Sequence, residues 1–304
     1  MCNSSLKCKE FIYRPYIERI KYLVRLPDHK KLCELALIGT HLSLSYNADI
    51  IEFRTQNLNL AQQLKYGVRV FDISVRFRSN LIESYSYYAK TNIGFHDFLL
   101  GAEEFLDDNP GEFIILLIRQ VFPPEFDGIR SDCDIINFYI RHVVGGRRTV
   151  TKWRLEDTIG QHRGKILLSS FDDSFSGCAF DIRNNCKLQS DITLKTKRNN
   201  YNVQDKWHDI FTLIKDSRFD NYKCFLNEIH FNDGSFNHFS IAKEGGNFNS
   251  SLCVSHPINQ MMENYFENPH RALIIVVADF VTQELIDKIN DSNFPDPSWR
   301  IGWE

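Results

Sequence analysis

The sequence predicts an α/β protein, a single barrel of parallel strands wrapped in helices. Three observations carry that prediction. Four short runs, residues 35–38, 114–118, 166–168 and 272–278, are continuously apolar. Runs apolar on both faces suit parallel strands covered by helices, whereas a half-wet sheet alternates. Segments with helical spacing lie between them. The 304-residue chain has no repeat, low-complexity tract or Pro/Gly/Ser linker, so it reads as one domain 1–304, long enough for a barrel of about 250 residues. Its core is expected at about 30–290, with 1–29 as an N-terminal extension and 169–202 as an irregular insertion on the rim. A 43% hydrophobic content, with 24 Phe, is enough for a large aromatic-rich core.

Taken in order, residues 35–38 form the first strand and deliver Gly39, Thr40 and His41. Leu58, Ala61 and Leu64 repeat at helical spacing, and Gly67 is a natural stop. Residues 68–76 alternate, which puts Val70, Asp72, Ser74 and Arg76 on one face and Phe71, Ile73 and Val75 on the other. A charge such as Asp72 inside a strand must be paired or face a polar cavity. Phe98, Ala102, Phe105 and Leu106 stripe a second helix that Asn109-Pro110 closes. Arg119 ends the strand 114–118, and Asp279 ends the strand 272–278. Trp207, Ile210, Phe211 and Ile214 stripe a late helix. Stripes at this spacing face a core rather than a cofactor.

Strand ends of a parallel barrel gather on one rim. Taken singly, a His after a strand is more often structural, and a terminal Arg or Asp usually marks the solvent boundary. Gathered on that rim, His41 beside a carboxylate has the makings of a general base and its orienting partner.

A net charge of −3 gives no clustered basic excess, which argues against nucleic acid. Residues 1–25 contain no apolar stretch of signal-peptide length, and no run is long enough to span a membrane. The cytoplasm is therefore the default compartment, and a monomer is expected. Eight Cys show no CxxC spacing, so neither a metal nor another cofactor is expected. Cys33 and Cys224 lie in apolar segments as buried thiols. Cys178 and Cys186 flank a short loop and could pair in an oxidising compartment, but reduced thiols are the favoured reading. The sequons at Asn3, Asn249 and Asn290 recur by chance and settle nothing.

Several ordered strings carry a resemblance: Leu35-Ala36-Leu37-Ile38-Gly39-Thr40-His41; Gly67-Val68-Arg69-Val70-Phe71-Asp72-Ile73; His96-Asp97-Phe98; Asn109-Pro110-Gly111-Glu112-Phe113; Arg163-Gly164-Lys165-Ile166; Val203-Gln204-Asp205-Lys206-Trp207; and Val276-Val277-Ala278-Asp279-Phe280. From about Leu35 to Ile289 the chain resembles the phosphatidylinositol-specific phospholipase C X-domain family of bacterial type. The resemblance implies an irregular TIM-type (β/α)8 barrel. It also implies attack of the inositol 2-hydroxyl on phosphorus, giving a cyclic inositol phosphate and diacylglycerol. In that scheme His41 is the general base, Asp279 its orienting carboxylate and Asp72 a retained acidic position. Asp205 and Trp207 match inositol-binding positions, and Arg119 stands where the bacterial pattern has a Lys. The implied partner is an inositol phospholipid or its headgroup, met at a peripheral membrane surface.

Departures from the pattern accompany these matches. Leu42 replaces an Asp after the general base, and Ser74 replaces the phosphate-binding Arg. It would serve a calcium ion poorly as well. The general-acid His is missing from 84–88, where Ser86 sits among tyrosines, and Ser169-Ser170 replaces a further Arg. A missing general acid costs about 10²–10⁴-fold, and a missing phosphate clamp about 10³-fold or more. Weakened or lost catalysis with headgroup recognition is thus the expected function, and an active phosphodiesterase the alternative. Arg76, two residues past Ser74 on the same face, and Tyr85, Tyr87 or Tyr88 are the candidates for rescue. A metal-dependent glycerophosphodiester hydrolase would need a His-Arg-Gly opening and a carboxylate cluster, neither of which occurs. Residues 50–53 and 231–248 offer apolar side chains to a bilayer, with buried loop anchors the favoured reading.

Overall fold

The structure, a computed structural model, describes residues 19–121, 130–196, 201–219, 221–231, 238–244, 257–266 and 271–294. Most of the expected N-terminal extension, most of 231–248, and the sequons at Asn3 and Asn249 lie outside them. Strands β1 (Ala36–Thr40), β2 (Val70–Arg78), β3 (Leu81–Ser86), β4 (Ala89–Lys90), β5 (Ile114–Gln120) and β6 (Thr149–Val150) come first. They are followed by β7 (Ile166–Ser170), β8 (Phe180–Asp181), β9 (Lys187–Leu188), β10 (Cys224–Glu228) and β11 (Leu273–Ala278). The main path runs β6-β7-β5-β2-β1-β11-β10-β9, parallel at every step. Among the described residues no pairing joins β6 to β9, so the curled sheet stays open along that seam. The hairpin β3–β4 pairs antiparallel on the outer end of β2.

The alternation of a strand sorts the apolar residues into two layers. Leu37, Val70, Leu117, Leu167, Leu226 and Ile275 point into the barrel. Phe71, Ile73, Leu116 and Val276 pack outward against Phe98, Leu99, Ile210 and Leu285 of the surrounding helices. Each fully buried side chain of this kind stabilises the fold by roughly 1.5–3 kcal/mol, so these layers hold the barrel without help from the polar mouth. Close strand approach demands Gly39, where a Cβ would stand 2.8 Å from Val70 Cβ. Gly67, at φ +102°, ends the helix Leu60–Lys65, the stop read from the sequence.

Below β2 and β5 lies a buried ion pair. Arg69 Nε donates to Glu112 Oε2 at 2.9 Å, and its other nitrogens donate to the carbonyls of Leu64, Val68 and Ile20. Asn290 is buried and donates to Gly67 O, so its sequon is not presented to solvent.

The cysteine pairing corrects the sequence reading. Cys178 bonds Cys133, and Cys186 bonds Cys224; only Cys33 of the described cysteines is a thiol, and it is buried. Against the favoured reading of reduced thiols, Cys178 is bonded to Cys133 of the helix Asp132–His142 and Cys186 to Cys224 at the start of β10, and the alternative Cys178–Cys186 pair does not form. Disulfides form and persist in oxidising environments and are rare in the cytosol. No helix among the described residues is long and apolar enough to cross a membrane.

Candidate active site

Each inward row turns from apolar to polar at the mouth, at the C-terminal end of its strand except in β2, which runs on from Asp72 into the hairpin with β3. Leu37 is followed two and four residues on by Gly39 and His41, Val70 by Asp72, Leu117 by Arg119, Leu226 by Glu228 and Val277 by Asp279. β1 and β11 run in register, Thr40 opposite Ala278, so their next residues, His41 and Asp279, stand side by side. Both strands then break into left-handed backbone, at Leu42 (φ 44°) and Phe280 (φ 43°). Side-chain amides fix the two breaks. Gln56 Nε2 donates to His41 O at 3.0 Å and Ala278 O at 2.9 Å, and Asn259 Nδ2 donates to Asp279 O at 2.9 Å.

His41 Nδ1 lies 2.7 Å from Asp279 Oδ1. With Nδ1 donating to the carboxylate, the lone pair is left on Nε2, the arrangement a general base requires. Burial alone would raise Asp279, but His41 and then His238 more than offset it and hold its carboxyl below the ordinary range. His238 Nδ1 lies 3.4 Å from the second oxygen of Asp279. The ring of His230 lies flat on that of His41, centroids 3.6 Å apart and planes 5° from parallel. Its Nε2 is 3.6 Å from Glu228 Oε1. Burial first, then the neighbouring His41, pushes His230 down to about 3, so it is neutral at physiological pH.

Arg119 donates from Nε to Asp72 Oδ1 at 2.9 Å and from Nη2 to Glu228 Oε1, and its guanidinium lies 3.7 Å over the Phe171 ring. Burial pushes the Asp72 carboxyl up, against Arg119 and His41. Glu228 stays well below its ordinary range, because Arg119 and His230 outweigh burial. A cleft of about 310 Å³ opens beside Arg119 and Glu228, lined also by Phe171, Asp172, Arg183 and Asp191. Among the described residues no group of three or more His, Cys, Asp or Glu is arranged to hold a metal ion.

No family model matches the chain. It is 27% identical over 285 residues to a 1-phosphatidylinositol phosphodiesterase of Listeria monocytogenes, covering 90% of this chain and 84% of that protein. To the Staphylococcus aureus protein of the same name it is 23% identical over 292 residues, covering 90% and 93%. Among solved structures, the phosphatidylinositol-specific phospholipase C from Listeria monocytogenes matches with a TM-score of 0.68 at 24% identity, over 90% of this chain and 98% of that one. A Staphylococcus aureus phosphatidylinositol-specific phospholipase C, from a study of its membrane binding, matches with a TM-score of 0.74 at 17% identity, over 90% and 97%. The fold is that of phosphatidylinositol-specific phospholipase C.

On this barrel the residues read from the sequence divide. His41, Asp279, Asp72 and Arg119 converge at the mouth. Asp205 and Trp207 have other partners at the start of the helix Val203–Phe219. Asp205 Oδ2 accepts from Asn202 N at 3.2 Å, and Trp207 packs against Phe211 and Tyr265. Lys206 between them turns inward. It is buried, donates to Gln189 Oε1 at 2.5 Å, and is lowered by burial to about 8 against the pull of Glu228 and Asp279. Arg76 sits opposite Glu83 in the β2–β3 hairpin, further out than Ser74, which is opposite Arg119 on β5.

Three of the positions read as departures have structural partners. Leu42 is buried, Ser86 Oγ donates to Phe53 O at 2.5 Å, and Ser170 Oγ donates to Ile118 O at 3.1 Å. Glu228, His230, His238 and Lys206 were missed in the sequence. Glu228 and His230 share one strand face by their spacing of two, a signal the Asn227-Glu228-Ile229-His230 run carried; His238 and Lys206 had none.

Proposed function

We propose that the protein recognises inositol phospholipid headgroups and cleaves their glycerol–phosphate bond slowly, as a phospholipase C-type phosphodiesterase acting as a monomer. The observation that carries this reading is the His41–Asp279 pair at 2.7 Å, set at the mouth of the barrel beside a cation already neutralised by two carboxylates. His41 Nε2 takes the proton of the attacking inositol hydroxyl, and Asp279 stabilises the imidazolium that forms. The cleft beside Arg119 and Glu228 offers carboxylates for ring hydroxyls and Phe171 as an apolar floor. The names of the relatives, both 1-phosphatidylinositol phosphodiesterases, support the substrate class. Ile50 and Ile51, 44% and 70% exposed, extend the rim towards a bilayer.

The expected slowness follows from charge. Phosphoryl transfer depends on cations that neutralise the transferring group. Ser74 contributes none, and Arg119 is shared between Asp72 and Glu228. Release of cyclic inositol phosphate from phosphatidylinositol by wild type and by His41→Ala tests the reading. Turnover that His41→Ala leaves unchanged contradicts it.

One observation favours the second reading, a full-rate phospholipase C. The buried Lys206 ammonium acts on both Glu228 and Asp279 and is a candidate for the missing cation. In that reading Lys206→Met abolishes turnover; in the first it changes the rate little.

A further inference from the structure

The general-acid histidine that the resemblance would put at 84–88 is absent, and Tyr87 stands there instead. Its backbone is left-handed, φ 50°, a conformation that costs a non-glycine residue free energy and persists only where its surroundings fix it. Its ring meets His41 edge-on at 6.2 Å and stacks on His238 at 5.0 Å, with planes 16° apart. The phenol oxygen is 3.5 Å from His238 Nδ1, which is itself 3.4 Å from Asp279 Oδ2. Asp279 thus faces one imidazole from each oxygen, His41 on Oδ1 and His238 on Oδ2. Tyr87 is half-buried, whereas His238 is buried behind it, so the phenol is the end of this chain nearer the open mouth.

We propose that Tyr87, backed by His238 and the second oxygen of Asp279, supplies the leaving-group proton in place of the missing histidine. The inference rests on the phosphodiesterase reading above. As His41 removes the proton of the attacking hydroxyl, the new O–P bond forms and the P–O bond to glycerol breaks. The departing oxygen takes the Tyr87 phenol proton, and the His238 Nδ1–H, which faces both the phenol oxygen and Asp279 Oδ2, stabilises the phenolate left behind. Water at the open mouth then takes the proton from His41 and returns one to the Tyr87 phenolate, so protons balance and no redox partner is needed. An isolated phenol, with a pKa near 10, is a mediocre acid at neutral pH; an Nδ1–H directed at its oxygen favours the phenolate and eases that handicap. Tyr87 is the catalytic residue in this scheme and His238 a positioning residue.

Leaving-group dependence is the test. Wild type, Tyr87→Phe and His238→Gln are assayed on phosphatidylinositol and on the 4-nitrophenyl ester of inositol phosphate, whose leaving group departs without a proton. Both variants are expected to lose about 100-fold or more on the lipid and less than about threefold on the aryl ester. Equal losses on the two substrates overturn the proposal. If wild type cleaves neither substrate, the phosphodiesterase reading itself fails. The chain is then judged by imidazole NMR, where a hydrogen-bonded His238 Nδ1–H signal that moves in both Tyr87→Phe and Asp279→Asn is expected. Its absence, or its indifference to either substitution, overturns the chain.

Discussion

The imidazole of His230 lies over that of His41 with their centroids 3.6 Å apart, and the pair is bracketed by Glu228 on one side and Asp279 on the other. Two stacked imidazoles in a buried site do not both carry charge without cost, so this contact ties the protonation of the mouth to the stability of the fold.

Stability in acid should depend on His230. In the unfolded chain a histidine titrates near 6.5, whereas folded His230 is held at about 3. Between those values the unfolded chain binds the proton more readily. The contribution is therefore complete above pH 6.5 and is lost as pH falls towards 3. Urea unfolding at pH 7 and pH 4.5 should show wild type losing about 2–3 kcal/mol more than His230→Asn. Parallel losses in the two proteins would remove His230 as the source.

Restoring a cation beside the phosphate should speed turnover. Ser74 lies opposite Arg119 in the β2–β5 register and is almost fully buried at the mouth. Ser74→Arg adds a second guanidinium beside Arg119, leaving positive charge at the mouth that Asp72 and Glu228, already shared with Arg119, do not fully neutralise. Cleavage of phosphatidylinositol is expected to rise about tenfold to a thousandfold. An unchanged rate in a folded variant means that charge at this position does not limit the reaction.

The Cys186–Cys224 bond closes a loop that contains the helix Val203–Phe219 and therefore Lys206. It ties the residue before β9 to the first residue of β10, next to the open seam of the barrel. Cys186→Ser with Cys224→Ser should lower unfolding free energy by about 2–4 kcal/mol, read from urea curves with Cys133–Cys178 intact. Coincident curves for the two proteins would show that the bond adds nothing to the fold.

The barrel was legible because continuous apolar runs such as 114–118 and 272–278 have no other economical use than as strands buried on both faces. His41, Arg119 and Asp279 were legible for a related reason, since each sits where such a strand ends, and Asp72 because a charge inside an alternating strand must face a polar site. What sequence could not supply was contact between distant segments. His238 reaches Asp279 from beyond β10, and Cys133 reaches Cys178 across 45 residues. Lys206 was hidden by its neighbours. Asp205 and Trp207 drew the resemblance, yet helical geometry turns the residue between them inward.

Phosphatidylinositol cleavage in mixed micelles, followed by ³¹P NMR for wild type and His41→Ala beside the Staphylococcus aureus phospholipase C, tests the central claim most directly. Wild type should release cyclic inositol phosphate at least about a hundredfold more slowly than the bacterial enzyme, and His41→Ala should reduce that rate by a further 10²–10⁴-fold or so. A rate equal to the bacterial enzyme, no release at all, or release indifferent to His41→Ala would contradict the account.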